Sequence, residues 1–285
     1  MKSDIVPESV NTPSVPAMAP PVPVTVPGLR RMKQEGVRIV SVTAYDFSFA
    51  RLLDRAGVDL LLVGDSLGMV VQGHSTTLPV TLEQMIYHTA AVVRGASRAL
   101  VVCDLPFGVC HGGGVATMDA AVRVLKETGC QGVKLEGGVH MAETIRFLCD
   151  HQVPVLGHVG LTPQSVHRLG GFKVQGRGDD AERIMADAEA VAGAGAFAVV
   201  LEGIPASLAR RITERLAIPT IGIGAGGQCD GQVLVLYDLL GVYDEFVPRF
   251  VKRYLPDQTV HQAAGCFVEE VRSGRFPGEE HSFAD

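Results

Sequence analysis

From about residue 30 onward the chain repeats one pattern: a short apolar, β-branched run, a polar loop containing glycine, then a segment of helical period. The runs Ile39 to Thr43, Leu60 to Val63, Ala99 to Cys103, Gly132 to Leu135, Val153 to Leu156, Ala198 to Leu201, Thr220 to Gly222 and Val233 to Leu236 predict eight strands. Between them, Ala181, Ile184, Met185, Ala188, Val191 and Ala192 share one face of a 3.6-residue period and predict an amphipathic helix. Leu82 to Arg94, Met118 to Thr128 and Pro205 to Leu216 read the same way, the last with a proline suited to a helix start. A final helix is expected over Thr259 to Ser273. Strands such as Leu60 to Val63 and Ala99 to Cys103 are apolar throughout instead of alternating, the pattern of a parallel sheet covered by helices. Repeated β-then-α units of this number predict a closed parallel (β/α)8 barrel, a TIM barrel, in preference to an open doubly wound sheet.

Composition sharpens this picture at the edges. Seven of the 16 prolines fall in the first 27 residues, so residues 1–28 read as a flexible proline-rich tail and 29–285 as one catalytic barrel domain with a C-terminal helix. A net charge of −6 and the absence of tryptophan offer neither a basic footprint nor a stacking platform to nucleic acid. Cysteines 103, 110, 130, 149, 229 and 266 form no C-x-x-C pair and read as reduced core thiols. No apolar run is long enough for a membrane span, and the N-terminus lacks the basic-then-apolar order of a secretory signal. The first arginine is Arg30, unlike an arginine-rich transit peptide, and a cytoplasmic location is expected.

Active-site groups of such barrels stand at the C-terminal ends of the strands. Five consecutive strands carry ionisable groups there: Asp65 after the second, Asp104 after the third, Lys134 and Glu136 at the fourth, His158 after the fifth and Glu202 after the sixth. Each has a structural alternative. A lone aspartate after a strand commonly caps a helix or an Asx-turn, Lys134 and Glu136 can be a buried ion pair, and Glu202 can cap the helix near Pro205. As a set they say more. Asp65 and Asp104 on adjacent strands, about 4.8 Å apart, with Glu136 one strand further, make an oxygen-rich cluster suited to Mg2+. The absence of a histidine pair or cysteine cluster at ligand spacing argues against zinc. Lys134, on the same side of its strand as Glu136, can hold a substrate carboxylate or an enolate oxygen. His158 can serve as hydrogen-bond donor or acid/base group, and Glu202, in the apolar setting of Val199 to Leu201, as a base. Gly222 to Gly227 reads as close backbone packing at the mouth, with phosphate binding as the alternative. His111 to Gly114 reads as a flexible loop, and Gly170 to Gly178 as a mobile basic loop that is a lid, a contact to an anionic cofactor or a solvated surface segment.

The runs Thr43-Ala44-Tyr45-Asp46, Val63-Gly64-Asp65-Ser66-Leu67-Gly68-Met69, Val133-Lys134-Leu135-Glu136-Gly137-Gly138 and Gly157-His158-Val159-Gly160-Leu161-Thr162-Pro163-Gln164-Ser165 closely resemble the ketopantoate hydroxymethyltransferase family. So do Gly171 to Gly178 and Phe276 to Phe283, and the resemblance spans about residues 30 to 283. It implies a Mg2+-dependent barrel that transfers a hydroxymethyl group from 5,10-methylenetetrahydrofolate to 3-methyl-2-oxobutanoate. The product would be 2-dehydropantoate, in the first step of pantothenate biosynthesis, and the assembly a homodecamer built as a pentamer of dimers. By motif it implies Asp65 and Asp104 as metal ligands, with Glu136 near the metal directly or through water. Asp65, Ser66, Asp104 and Lys134 are implied as contacts to the oxo acid, Glu202 as proton acceptor and His158 as part of the site. Three other readings fit the same strand ends: a Schiff-base aldolase using Lys134, a Mg2+-dependent 2-oxo-acid lyase of the phosphoenolpyruvate mutase type, and a metabolite-binding barrel without catalysis.

Overall fold

The computed structural model describes residues 22–243, 247–255 and 257–285. Its strands are β1 (Ile39–Thr43), β2 (Leu60–Val63), β3 (Leu100–Asp104), β4 (Gly132–Glu136), β5 (Val155–Gly160), β6 (Ala198–Glu202), β7 (Thr220–Ile223) and β8 (Gly231–Leu234). They close into a barrel in sequence order, every pairing parallel, with β8 returning to β1. The helices before β4 are α1 (Val26–Gln34), α2 (Phe47–Ala56), α3 (Leu67–Val70), α4 (Leu82–Gly95) and α5 (Gly113–Thr128). After it come α6 (Ala142–Asp150), α7 (Val166–Leu169), α8 (Ala181–Gly193), α9 (Ala206–Arg215), α10 (Leu236–Leu240) and α11 (Val260–Ser273). No helix among the described residues is long and apolar enough to cross a membrane.

The two-residue period of the strands sorts side chains into two layers. Val40, Leu61, Val101, Val133 and Val199 pack with helix residues such as Leu53, Met85, Ile145 and Ile184. The alternate positions, including Ile39, Leu62, Val102, Leu156, Val200 and Val233, form a second core inside the barrel. Leu29 of α1 joins this inner core with Ile39, Leu60 and Leu100, so α1 closes the N-terminal end. Followed upward, the inward row turns from apolar to charged: Leu100, Val102, Asp104 on β3, and Ala198, Val200, Glu202 on β6. Every fully buried Leu or Val of that floor contributes about 1.5–3 kcal/mol, which offsets the desolvation of the charged layer above.

Several boundaries differ from the sequence reading. The division drawn between residues 28 and 29 falls inside α1, which starts where Thr25 caps it by accepting the Gly28 N–H. The rest of the expected tail, residues 1–21, lies outside the described residues. The fifth strand starts at Val155 instead of Val153, because Pro154 has no N–H for the ladder, and it runs on to Gly160. The eighth starts earlier, at Gly231, and stops at Leu234; the Leu236 N–H then donates to the Thr43 hydroxyl at 2.8 Å and the chain turns into α10. His111 to Gly114 is not a free loop. Gly113 and Gly114 open α5, and any Cβ at Gly114 would lie 2.7 Å from the Phe147 ring. No helix separates β7 from β8 among the described residues; the glycine-rich run takes its place. Its packing is as close as expected: Gly224 has φ +58°, and a Cβ there would lie 2.7 Å from Phe250. All six cysteines are free thiols, with Cys103, Cys130 and Cys229 buried.

Candidate active site

Strand register delivers the predicted groups to one mouth. Asp104 pairs with Lys134 across β3 and β4, Glu136 with His158 across β4 and β5, and Gly160 with Glu202 across β5 and β6. A cavity of about 400 Å3 opens there, lined by Asp65, Ser66, Asp104, Lys134, Glu136, His158 and Glu202 together. The Lys134 ammonium sits 2.7 and 2.6 Å from the two Asp104 oxygens and 3.7 Å from Glu136 Oε1. Its main partner is thus Asp104, not the Glu136 of the simple ion-pair alternative. His158 lies between two carboxylates, Nδ1 3.4 Å from Glu136 and Nε2 3.2 Å from Glu202, within ion-pair distance but out of hydrogen-bond alignment. The Ser66 hydroxyl is 2.9 Å from the buried Tyr45 hydroxyl.

The capping alternatives do not hold. Asp65 accepts from the Gln164 side-chain amide at 2.8 Å, and neither α3 nor α9 takes a side-chain cap, so Asp65 and Glu202 are not cap residues. Phe172 and Val174 of the Gly170 to Gly178 loop stand in the cavity wall, so that loop is part of the site's enclosure.

The model of the ketopantoate hydroxymethyltransferase family matches residues 23–279. The chain belongs to this family. It is 59% identical over 262 residues to the 3-methyl-2-oxobutanoate hydroxymethyltransferase of Magnetococcus marinus, covering 91% of this chain and 98% of that protein. The corresponding protein of Trichlorobacter lovleyi is 57% identical over 262 residues, covering 92% and 98%. Among solved structures, phosphoenolpyruvate phosphomutase from Streptomyces platensis superposes with TM-score 0.57 at 17% identity, over 76% of this chain and 83% of that one. A 2,3-dimethylmalate lyase superposes with TM-score 0.55 at 17% identity, over 89% and 99%. At such identities these two share the barrel fold alone with this ketopantoate hydroxymethyltransferase family member.

Electrostatics divide the site into halves. Burial, then the Asp104 and Glu136 charges, push the Asp65 carboxyl well above the usual range, against Lys134 and Gln164. Burial also raises Asp104, although Lys134 opposes it. Glu136 is held low despite burial by His158, Lys134 and the Gln164 N–H. For His158, burial and the Lys134 charge oppose protonation, but Glu136 and Glu202 outweigh them and lift it to about 9. Burial opposes the charge of Lys134, but Asp104, Glu136 and Asp65 outweigh it and keep the ammonium above its ordinary value.

Ionisation is therefore disfavoured at Asp65 and Asp104, and a divalent cation there would offset that cost. No three histidine, cysteine or acidic side chains form a ready-made metal cage among the described residues. Two buried aspartates, with water and substrate oxygens completing the shell, are nonetheless a donor set typical of Mg2+. Two residues of the site carried no strand-end signal. Gln164 belongs to the loop after β5, and Asp238 to α10 after β8, beyond the five strands whose ends are charged in the sequence.

Proposed function

We propose that this chain transfers a hydroxymethyl group from 5,10-methylenetetrahydrofolate to 3-methyl-2-oxobutanoate, giving 2-dehydropantoate, with Mg2+ held by Asp65 and Asp104. The observation that carries this reading, beside family membership, is the convergence of an acidic pair, a charged lysine and a wall-mounted glutamate in one 400 Å3 cavity. A bound Mg2+ would supply a Lewis acid that offsets negative charge developing on the oxo acid's oxygens. Lys134, fixed by Asp104, presents its ammonium to the same oxygens. Ser66, positioned by Tyr45, offers a hydroxyl to the acid, and Glu136 adds negative charge beside the aspartates, directly or through water. Glu202 takes the C3 proton, its carboxylate placed by the His158 imidazole 3.2 Å away. The resulting carbon nucleophile takes the one-carbon unit, water supplies the hydroxyl oxygen, and tetrahydrofolate leaves.

A Schiff-base reading of Lys134 is disfavoured by its setting. A nucleophilic lysine needs a depressed pKa, whereas three carboxylates keep this one charged. A homodecameric assembly and a cytoplasmic location belong to the same proposal. The exposed apolar side chains Tyr87 on α4 and Val115 and Val122 on α5 are consistent with contact between copies. The test is direct assay of 2-dehydropantoate from the two substrates. We expect product that disappears when Mg2+ is chelated and returns when it is restored. Metal-independent product, or none without another cofactor, would contradict the reading.

A further inference from the structure

The cavity is larger than a small acid needs. A 2-oxo acid of eight non-hydrogen atoms fills at most about 240 Å3, even at the roughly 30 Å3 that liquid water allots to each molecule. The cavity holds about 400 Å3. The unclaimed part has a wall of its own, above β7 and β8, away from the Asp65 and Asp104 pole on β2 and β3. Phe250 and Phe283 close over Gly224 at the end of β7, their rings 6.4 Å apart and inclined at 78°. Asp238 follows β8, the next strand, in the first turn of α10.

Among the described residues, Asp238 is the acid of the mouth with neither a hydrogen bond nor an ion pair to its side chain; Asp65, Asp104, Glu136 and Glu202 each have one. It is 9% exposed and lines the cavity, yet its carboxylate accepts no hydrogen bond among the described residues. It does not cap its helix, whose N-terminus has no side-chain cap bond. Arg253 acts on it only as a charge at longer range. Burial, together with the Glu202 charge and against Arg253, lifts its pKa to about 6. Its oxygens reach the cavity and meet no protein donor, so they are left to water or to a ligand that brings donors of its own. Proton abstraction by Glu202 makes no use of it.

We propose that Asp238 anchors the one-carbon donor, accepting the paired N–H groups of a reduced pterin's 2-amino-4-oxopyrimidine edge while the ring lies against Phe250 and Phe283. This rests on the reading of the preceding subsection and deepens it by naming where the co-substrate is held. The pterin edge carries a ring N–H and an amino N–H side by side, which match the two oxygens of a carboxylate as a guanidinium does. The flat, weakly polar ring faces match aromatic walls. Glu202, on β6, stands next to β7 in strand order and lies between the two poles. A donor held at Asp238 is thereby brought toward an oxo acid held at Lys134.

The test measures dissociation constants by calorimetry on the full chain with Mg2+ present, for tetrahydrofolate and for 3-methyl-2-oxobutanoate, in the parent, Asp238→Asn and Asp238→Ala. We expect the tetrahydrofolate constant to rise at least tenfold in both variants while the oxo-acid constant moves less than threefold, which also shows that the variants are folded. A 2-desamino analogue of tetrahydrofolate should bind the parent no better than it binds Asp238→Ala. Unchanged tetrahydrofolate affinity in both variants would overturn the proposal. So would an equal loss of oxo-acid affinity in the isosteric Asp238→Asn, which would place Asp238 at the other pole. A parent that binds the oxo acid but no tetrahydrofolate would overturn the folate reading itself, a result distinguishable from either variant's behaviour.

Discussion

Gln164 joins three strand ends through one side chain and one backbone amide. Its side-chain NH2 donates to Asp65 Oδ2 at 2.8 Å and to the Leu105 carbonyl at 2.9 Å, and its backbone N–H donates to Glu136 Oε2 at 3.0 Å. Partners that orient a metal-binding carboxylate typically change metal affinity by about 10–100-fold when removed. Gln164→Ala should therefore weaken Mg2+ binding by about tenfold or more in direct calorimetric titration of the substrate-free protein. Unchanged affinity would reduce Gln164 to a structural contact. Asp238 makes a prediction of opposite sign for stability. Its pKa is raised from 3.8 to about 6, so its contribution is fully present below 3.8 and lost as pH rises through about 6. In the ligand-free protein at pH 8 the ionised carboxylate is a penalty of up to about 3 kcal/mol. Asp238→Asn should thus resist urea better than the parent at pH 8, and the gap should narrow at pH 5. A gap independent of pH would refute that sign. Asp65, Asp104, Lys134, Glu136, His158 and Glu202 were legible because strand ends are legible. Gln164 was not, since it meets Asp65 across 99 positions of chain and only the folded loop brings them together.

At the scale of elements, α11 is fastened to the barrel by charge as well as by packing. Asp59, fully buried before β2, takes Arg98 at 2.6 Å and Arg272 of α11 at 2.8 and 2.6 Å, and also accepts the Val40 N–H. Removing one partner of a buried pair costs about 3–5 kcal/mol because the remaining charge is stranded. Both arginines are about a quarter exposed, so Asp59→Ala should fall near the lower end, about 3 kcal/mol, in urea unfolding at pH 7. A loss under about 1 kcal/mol would mean that the arginines relax freely into water. Strand cores were readable from apolar runs, and β1 and β2 match their predicted limits. The ends of β5 and β8 were not. A proline without an N–H and a threonine hydroxyl from β1 set them, and the second is a contact that no local pattern carries. The start of α5 was hidden for a related reason. Glycines that look like loop formers in sequence are there because Gly114 packs against Phe147.

At the scale of the molecule, the barrel is an apolar cylinder with charge concentrated on one arc of its rim, and on β3 and β6 the inward row passes from one to the other in two steps. The eight-strand closure followed from counting β-then-α units, even though β7 and β8 are joined without a helix. What counting could not supply is the second pole of the cavity, because Asp238, Phe250 and Phe283 become neighbours of the mouth only after β8 and the C-terminal segment fold over it. The central claim is that Glu202 removes a proton from the oxo acid held at the other pole. Proton NMR of 3-methyl-2-oxobutanoate in D2O, with Mg2+ and without folate, reads that step alone. The parent should exchange the C3 proton, and Glu202→Gln should exchange it about 10²–10⁴-fold more slowly, the range expected for a lost general base. Exchange by Glu202→Gln at the parent rate would contradict the account.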